Sequence, residues 1–275
     1  MSQPKISVLI AAFNAEAYVA DSVESVLRQN GPPTELIVVD DGSCDGTKAV
    51  LDRFSHDICL LEQENRGATA ARNRAWRASC GEYIVILDAD DRLTAESIRV
   101  RSDYLDKHPN VDVVYGETDR IDISGAPIGR VPLRRKLRED DIPYEAFAEA
   151  NVFPVHAGMT RRRVFEELTD LHDEQLDLVG DWDLWARVAE NHRFAYVPDV
   201  VAQYRIHDGM SLRNLTRDRG LWQTMNTLKR IASRRAFRDL DNITRLRSLA
   251  RYAICCGRLR CWREVWNVLR LTVAN

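Results

Sequence analysis

Leu36-Ile37-Val38-Val39-Asp40-Asp41-Gly42-Ser43 and Tyr83-Ile84-Val85-Ile86-Leu87-Asp88-Ala89-Asp90-Asp91 each run a short apolar stretch straight into paired carboxylates. An apolar run of four or five residues without polar alternation predicts a strand buried on both faces, the habit of parallel sheets. Working outward, Ile6 to Ala12, Ile58 to Leu61 and Val111 to Tyr115 predict three more strands. Between the strands, Val19, Val23, Val26 and Leu27 recur at helical spacing. Val50 to Phe54, Ser97 to Leu105 and the Ala- and Arg-rich run Ala68 to Ala78 also read as helices. Strand and helix in alternation predict an α/β fold: a mainly parallel twisted sheet with helices on both faces.

The alternation stops at Ser124 to Asp141, where Gly125, Pro127, Gly129, Pro132 and Arg134-Arg135-Lys136 predict an irregular loop. Tyr144 to Ala150, Arg163 to Leu168 and Asp181 to Glu190 read as helices. Phe194 to Val197 and Val200 to Tyr204 read as a strand pair broken by Pro198, and the chain beyond Arg213 reads as helical. Charge divides it the same way. Of 275 residues with a net charge of −3, Arg213 to Asn275 carries 15 Lys and Arg against 4 Asp and Glu, net +11, so the remainder stands at −14. This predicts a body at 1–212 and a basic helical segment at 213–275 with different partners. The six cysteines lack the paired spacing of a zinc site, and a reduced setting fits them. No signal peptide is read at Met1 to Lys5, and no run approaches the roughly 18 apolar residues of a membrane span. The expected setting is cytoplasmic, with peripheral contact at the inner face of the membrane open.

Ligands of open parallel sheets bind outside the carboxyl ends of the strands. Those ends carry Ala11-Ala12-Phe13-Asn14, Asp40-Asp41-Gly42-Ser43, Asn65-Arg66-Gly67 with Arg72 beyond it, and Asp88-Ala89-Asp90-Asp91. Alternate residues of an extended segment point the same way, so Asp88 and Asp90 are a candidate pair for a hard divalent cation, Mn²⁺ or Mg²⁺, bridging to diphosphate oxygens. Each motif also has a plain structural reading: an acidic loop, a tight Asp-Gly-Ser turn, a helix cap at Asp181, a solvated face at Arg161 to Arg163. His207 after Tyr204-Arg205 and the isolated His156 read first as structural.

Taken together, Ser7 to Asn14, Asp40-Asp41-Gly42-Ser43, Asn65-Arg66-Gly67 with Ala71-Arg72-Asn73, Leu87 to Asp91 and Asp181-Trp182-Asp183-Leu184-Trp185 resemble family 2 of the inverting glycosyltransferases, over roughly residues 5 to 210. The resemblance implies a GT-A fold, a nucleotide-diphospho-sugar donor and a divalent metal. It implies Asp41 as the carboxylate on the uracil, with Ala11, Phe13, Asn14, Asp40, Arg66, Arg72, Asp88 and Ala89 around the donor. It implies Asp90 as metal ligand, supported by Asp88 and by His207 of a Tyr-Arg-x-His segment, and Asp181 as catalytic base. Many members have an acidic residue before the base, where this chain has Gly180.

The implied reaction is a single displacement with inversion, from a UDP-sugar by family habit, to a saccharide, lipid-linked or protein acceptor. Trp182 or Trp185 and the loop from Ser124 would orient the acceptor; nucleic acid is not an expected partner. A nucleotidyltransferase would need a basic, Gly-rich loop after strand one, and Ala11 to Glu16 holds no Gly, Lys or Arg. A non-catalytic sugar-nucleotide-binding protein would need neither the Asp pair nor Asp181. In the tail, Trp262, Val265, Trp266, Leu269 and Val273 recur at helical spacing among arginines. Two roles suit that pattern: docking on an anionic membrane, or packing on the catalytic domain or a second copy.

Overall fold

The computed structural model describes residues 4–133, 144–176, 179–209, 217–259 and 261. The chain falls into two compact units. The first comprises 1–141, 153–177 and 192–207, and the second 142–152, 178–191 and 208–275.

The first unit is built on a sheet of nine strands among the described residues, in the order β3-β2-β1-β4-β8-β6-β9-β5 with β7 beside β6. Its elements follow the chain as β1 (Ile6–Ala12), α1 (Val19–Leu27), β2 (Thr34–Asp40), α2 (Thr47–Asp52), β3 (Cys59–Glu62), α3 (Ala68–Ala78), β4 (Tyr83–Asp88), β5 (Arg92–Leu93), α4 (Ser97–Lys107), β6 (Val113–Ile121) and β7 (Pro127–Arg130). After α5 (Tyr144–Glu149) of the second unit come β8 (Gly158–Arg161) and α6 (Arg162–Glu166). Beyond α7 (Gly180–Val188), again in the second unit, β9 (Phe194–Arg205) closes the sheet. The strands β3, β2, β1 and β4 run parallel, and the apolar runs of β1, β2 and β4 are almost wholly buried, as their sequences predict. The other half is mixed: β8 is antiparallel to β4 and β6, β5 is antiparallel to β9, and β6 and β9 are parallel.

Three differences from the sequence reading have local causes. The two predicted pieces of β9 are one strand. Pro198 falls where the pairing with β6 jumps from Tyr115–Tyr196 to Glu117–Val200, a bulge in which its missing N–H costs no ladder bond. At that bulge Gly116 lies so close that a Cβ would come within 2.8 Å of the Asp199 carbonyl. Part of the predicted loop after Ser124 forms β7; its residues 134–141 lie outside the described residues. Arg161 and Arg162 are not a solvated face, whereas Arg163 is exposed as read. Arg161 donates to the carbonyls of Val111 (2.8 Å) and Leu105 (2.6 Å), Arg162 donates to Gly81 and lies over the Trp76 ring, and Arg163 pairs with Asp112.

The second unit is helical: α5 and α7, then α8 (Arg217–Ser233), α9 (Arg235–Arg238) and α10 (Asn242–Arg258). Trp182 and Trp185 of α7 are buried. The Trp182 indole donates to the Phe147 carbonyl at 2.7 Å, with the Arg251 guanidinium over its ring. Neither tryptophan offers an open ring to a sugar, which corrects the acceptor role read for them: the helical period that places both on α7 serves its core face.

Candidate functional site

Register brings the sequence motifs to one edge. Ala12 pairs with Asp40, Ala11 with Asp88, and Asp40 with Glu62, so the C-terminal ends of four neighbouring parallel strands lie in a row. The first two loops are stitched together above it. The Asn14 amide N–H donates to Ser43 Oγ, Cys44 N–H donates to Asn14 Oδ1, and Ser43 Oγ donates to Asp40 Oδ1 at 2.6 Å. Asn14 takes φ 48°, a left-handed conformation that Asn tolerates better than most residues, and the Phe13 ring beside it stands 47% exposed.

Asp41 is buried and anchors the third loop. Oδ1 accepts from Gln63 Nε2 (2.7 Å) and Arg66 N–H (2.9 Å), and Oδ2 accepts from Gly67 N–H at 2.8 Å. The fold depends on Gly42 here: φ is +74°, and a Cβ would sit 2.8 Å from the Asn65 nitrogen. Arg66 turns outward to Glu174, whereas Arg72, from buried positions of α3, pairs with Asp88. Burial pushes the Asp88 carboxyl up, but Arg72 and then His156 outweigh it and hold it below its ordinary range. Asn73, next to Arg72 in the same motif, exchanges two 2.8 Å hydrogen bonds with the backbone of His172.

The turn from Asp88 to Asp91 is held from behind. Ser22 Oγ of α1 is 2.8 and 2.6 Å from the carbonyls of Ala89 and Asp91. Asp91 points inward; its Oδ1 accepts from Arg205 N–H at 2.8 Å, and its Oδ2 lies 2.8 Å from His156 Nδ1. That last contact is off the direction a hydrogen bond requires, and neither His156 nitrogen has an aligned partner among the described residues. Burial pushes the Asp91 carboxyl up to about 7 against the pull of His156. Burial opposes the imidazolium of His156, but Asp91, Asp88 and Asp90 outweigh that and raise it. His156, read from the sequence as an isolated histidine, is thus a buried partner of the acidic turn.

Asp90 points outward. Its Oδ2 lies 2.9 Å from His207 Nε2, and the His207 ring packs 4.7 Å from that of Tyr18. Arg205 makes this meeting possible. Its fully buried guanidinium donates to the carbonyls of Asp90 (2.9 Å), Asp122 and Ile123, pairs with Asp21 at 2.9 Å, and lies over the Tyr18 ring. One arginine therefore locks the end of β9 to the acidic turn, two residues before His207. Arg205→Gln is expected to lower stability by about 3 kcal/mol, roughly one per stranded carbonyl bond. Urea unfolding measures this, and Arg205→Lys should restore only part of it.

The residues fit a divalent ion. Asp90 Oδ2 and His207 Nε2 meet at 2.9 Å, so a carboxylate oxygen and an imidazole nitrogen already converge on one point at the strand ends. Both side chains are accessible from outside, 33% and 11% exposed. A carboxylate oxygen and an imidazole nitrogen suit Mn²⁺ and, less well, Mg²⁺. Asp88, Asp91 and His156 also bring one donor atom each within 4.8 Å of one another, but Asp91 and His156 are sealed from solvent and face each other.

Asp181 belongs to the second unit. It lies in the first turn of α7, whose N-cap is Val179 rather than Asp181. Its Oδ2 accepts from Asn151 Nδ2 at 2.7 Å and its Oδ1 from Trp182 N–H at 2.8 Å.

Residues 7–169 match the model of glycosyl transferase family 2. The chain belongs to that family. Within the family, it is 26% identical over 224 residues to an uncharacterized glycosyltransferase of Rickettsia typhi, covering 80% of this chain and 70% of the relative. It is 36% identical over 109 residues to the putative teichuronic acid biosynthesis glycosyltransferase TuaG of Bacillus subtilis, covering 38% and 42%. Among solved structures, that of S. aureus TarS 1–349 in complex with UDP-GlcNAc superposes with a TM-score of 0.75 at 17% identity, covering 98% of this chain and 81% of that one. The Pyrobaculum calidifontis mannosyltransferase PcManGT, in complex with GDP-Man and Mn²⁺, gives 0.58 at 18% identity, covering 100% and 76%. The glycosyltransferase thus has the GT-A fold, a mixed α/β sheet flanked by helices.

Proposed function

We propose that this glycosyltransferase moves a sugar from a nucleotide-diphospho-sugar, a UDP-sugar first, to an acceptor hydroxyl in polysaccharide, lipid-linked oligosaccharide or glycoconjugate synthesis, with inversion. The observation that carries the reading is the Asp90–His207 pair at the strand ends, backed by Arg205. Asp90, with Asp88 and His207, would hold Mn²⁺ or Mg²⁺, and that ion would supply positive charge to the departing diphosphate. The stitched loops of Asn14, Asp40 and Arg66 would face the nucleotide, with Ala11, the exposed Phe13 ring and Ala89 along the same edge. The buried Asp41 holds them in place and would meet the base only by giving up one of its bonds to the third loop. Arg72 acts through Asp88, keeping that carboxylate ionised beside the diphosphate. Asp181 takes the acceptor proton as the new bond to the anomeric carbon forms and the bond to the diphosphate oxygen breaks. The TarS structure in complex with UDP-GlcNAc and the PcManGT structure in complex with GDP-Man and Mn²⁺ support this donor class.

A cytoplasmic setting suits this donor, and no helix among the described residues is long and apolar enough to cross a membrane. The basic segment 213–275 would carry the contact with a membrane-held acceptor or a second copy.

Thermal stabilisation by a panel of nucleotide-sugars, with Mn²⁺ and with chelator, tests the donor. The expected result is a rise in Tm with one UDP-sugar that needs the metal, accompanied by slow release of UDP. Stabilisation without any turnover, even with acceptor extracts, would favour a non-catalytic binding protein; no response to any nucleotide-sugar would overturn the reading.

A further inference from the structure

Helix α10 has two faces of different character. Thr244, Ser248, Tyr252, Cys255 and Cys256 are turned into the second unit, where α10 packs on α8 and α5. The opposite face carries Ile243, Leu246, Ala250 and Ile254 at helical spacing, and the three large residues stand 63%, 65% and 54% exposed. Surface apolar residues scattered singly need no explanation; three aligned on one helix do. Along one flank run Arg258 and Arg247, the latter 67% exposed and 3.5 Å from Glu149 Oε1, while Arg251 is turned inward to the Glu149 carbonyl and the Trp182 ring; the 17 residues of the helix include no Asp or Glu. The one carboxylate at its start, Asp241, is used as the N-cap, accepting from the Ile243 and Thr244 N–H groups. By contrast α4, another surface helix, carries Asp103 and Asp106 among its basic residues.

We propose that the outer face of α10 docks flat on an anionic phospholipid surface, with Ile243, Leu246 and Ile254 entering the headgroup boundary and the flanking arginines bound to lipid phosphates. An apolar stripe with arginines along one border and no acidic residue on the helix is the pattern of an interfacial helix. Charge decides between this occupant and a second copy of the chain. A two-fold contact through this face would bring Arg247 and Arg258 of both copies into one seam, where the helix offers no carboxylate and Glu149 of each copy is already committed to its own Arg247. An anionic lipid surface instead gains about 1 kcal/mol for each arginine brought to it. This docking deepens the reading of a membrane-held acceptor, and its test needs neither donor nor metal.

The test is co-sedimentation of the full chain with phosphatidylcholine vesicles, with and without phosphatidylglycerol. The protein should bind only the anionic vesicles and lose binding as salt rises. Arg247→Gln with Arg258→Gln should weaken binding roughly fivefold per arginine. Leu246→Ser with Ile254→Ser should weaken it at least about tenfold. Both positions are exposed, so unchanged circular dichroism and Tm should accompany the loss. No binding of the intact chain to anionic vesicles at low salt overturns the proposal, as does equal binding by all variants. So does a result in which Leu246→Ser with Ile254→Ser leaves vesicle binding intact and turns an oligomer into a monomer by sedimentation equilibrium. None of these outcomes alters donor stabilisation, so a failure here is separable from a failure of the donor reading.

Discussion

Asp90→Ala is expected to abolish the metal-dependent part of donor binding while leaving the fold intact. The Asp90 side chain faces outward and touches His207, and the turn that carries it is held by its backbone, through Arg205 Nε on the Asp90 carbonyl and Ser22 on the carbonyls of Ala89 and Asp91. Deleting the carboxylate therefore removes a ligand without removing what shapes the turn. Calorimetry with a UDP-sugar, with Mn²⁺ and with chelator, should show two different affinities for the unaltered chain and a single weak one for Asp90→Ala. Turnover should fall by about 10² to 10³, the scale seen when one preorganised charge-stabilising group is lost. Asp88→Ala should behave differently. Arg72 is mostly buried against Asp88, so the substitution breaks a largely buried ion pair and costs stability as well as affinity. Metal-dependent affinity persisting unchanged in Asp90→Ala would remove Asp90 from the metal site.

What the sequence makes legible follows a physical divide. The strands buried on both faces, β1, β2 and β4, announce themselves as apolar runs, and α3 is read at its observed ends from Ala68 to Ala78. The residues at their C-terminal edge could be named because a parallel sheet puts ligands there. The strands that went unread are short: β5 has two residues, β7 and β8 four each, and none is long enough to express a period. The parts of the site that went unread are those whose partners are distant in the chain. His156 meets Asp91 across 65 positions, and Arg205 meets Asp21 across 184. Each is an ordinary polar residue in its own neighbourhood; only the closed sheet puts it behind the acidic turn. Arg161 and Arg162 mislead for the same reason, since their carbonyl and ring partners lie on β4, α3 and α4 and in the loops next to them. The apolar tail pattern from Trp262 to Val273 lies outside the described residues, and the exposed stripe on α10 has no equivalent in the sequence reading.

Asp181→Asn should separate binding from transfer. Both carboxylate oxygens of Asp181 accept hydrogen bonds, from the side chain of Asn151 and from the Trp182 N–H. A new amide can keep the Trp182 bond with its oxygen and turn its NH₂ toward Asn151. The Asn151 amide can rotate to meet it, since its Oδ1 is buried without a partner in the present arrangement. The substitution thus preserves shape and keeps both of these hydrogen bonds, so Tm and metal-dependent donor affinity should stay close to those of the unaltered chain. It removes the one property a carboxylate has and an amide lacks, the capacity to take a proton. Transfer to acceptor should then fall by about 10² to 10⁴, the usual worth of a positioned general base. Asn151→Ala frees one oxygen of Asp181 without removing its charge, so it should reduce transfer less and change its pH profile. Two results would return Asp181 to a purely structural role in the first turn of α7: loss of folding in Asp181→Asn, or transfer continuing near the normal rate.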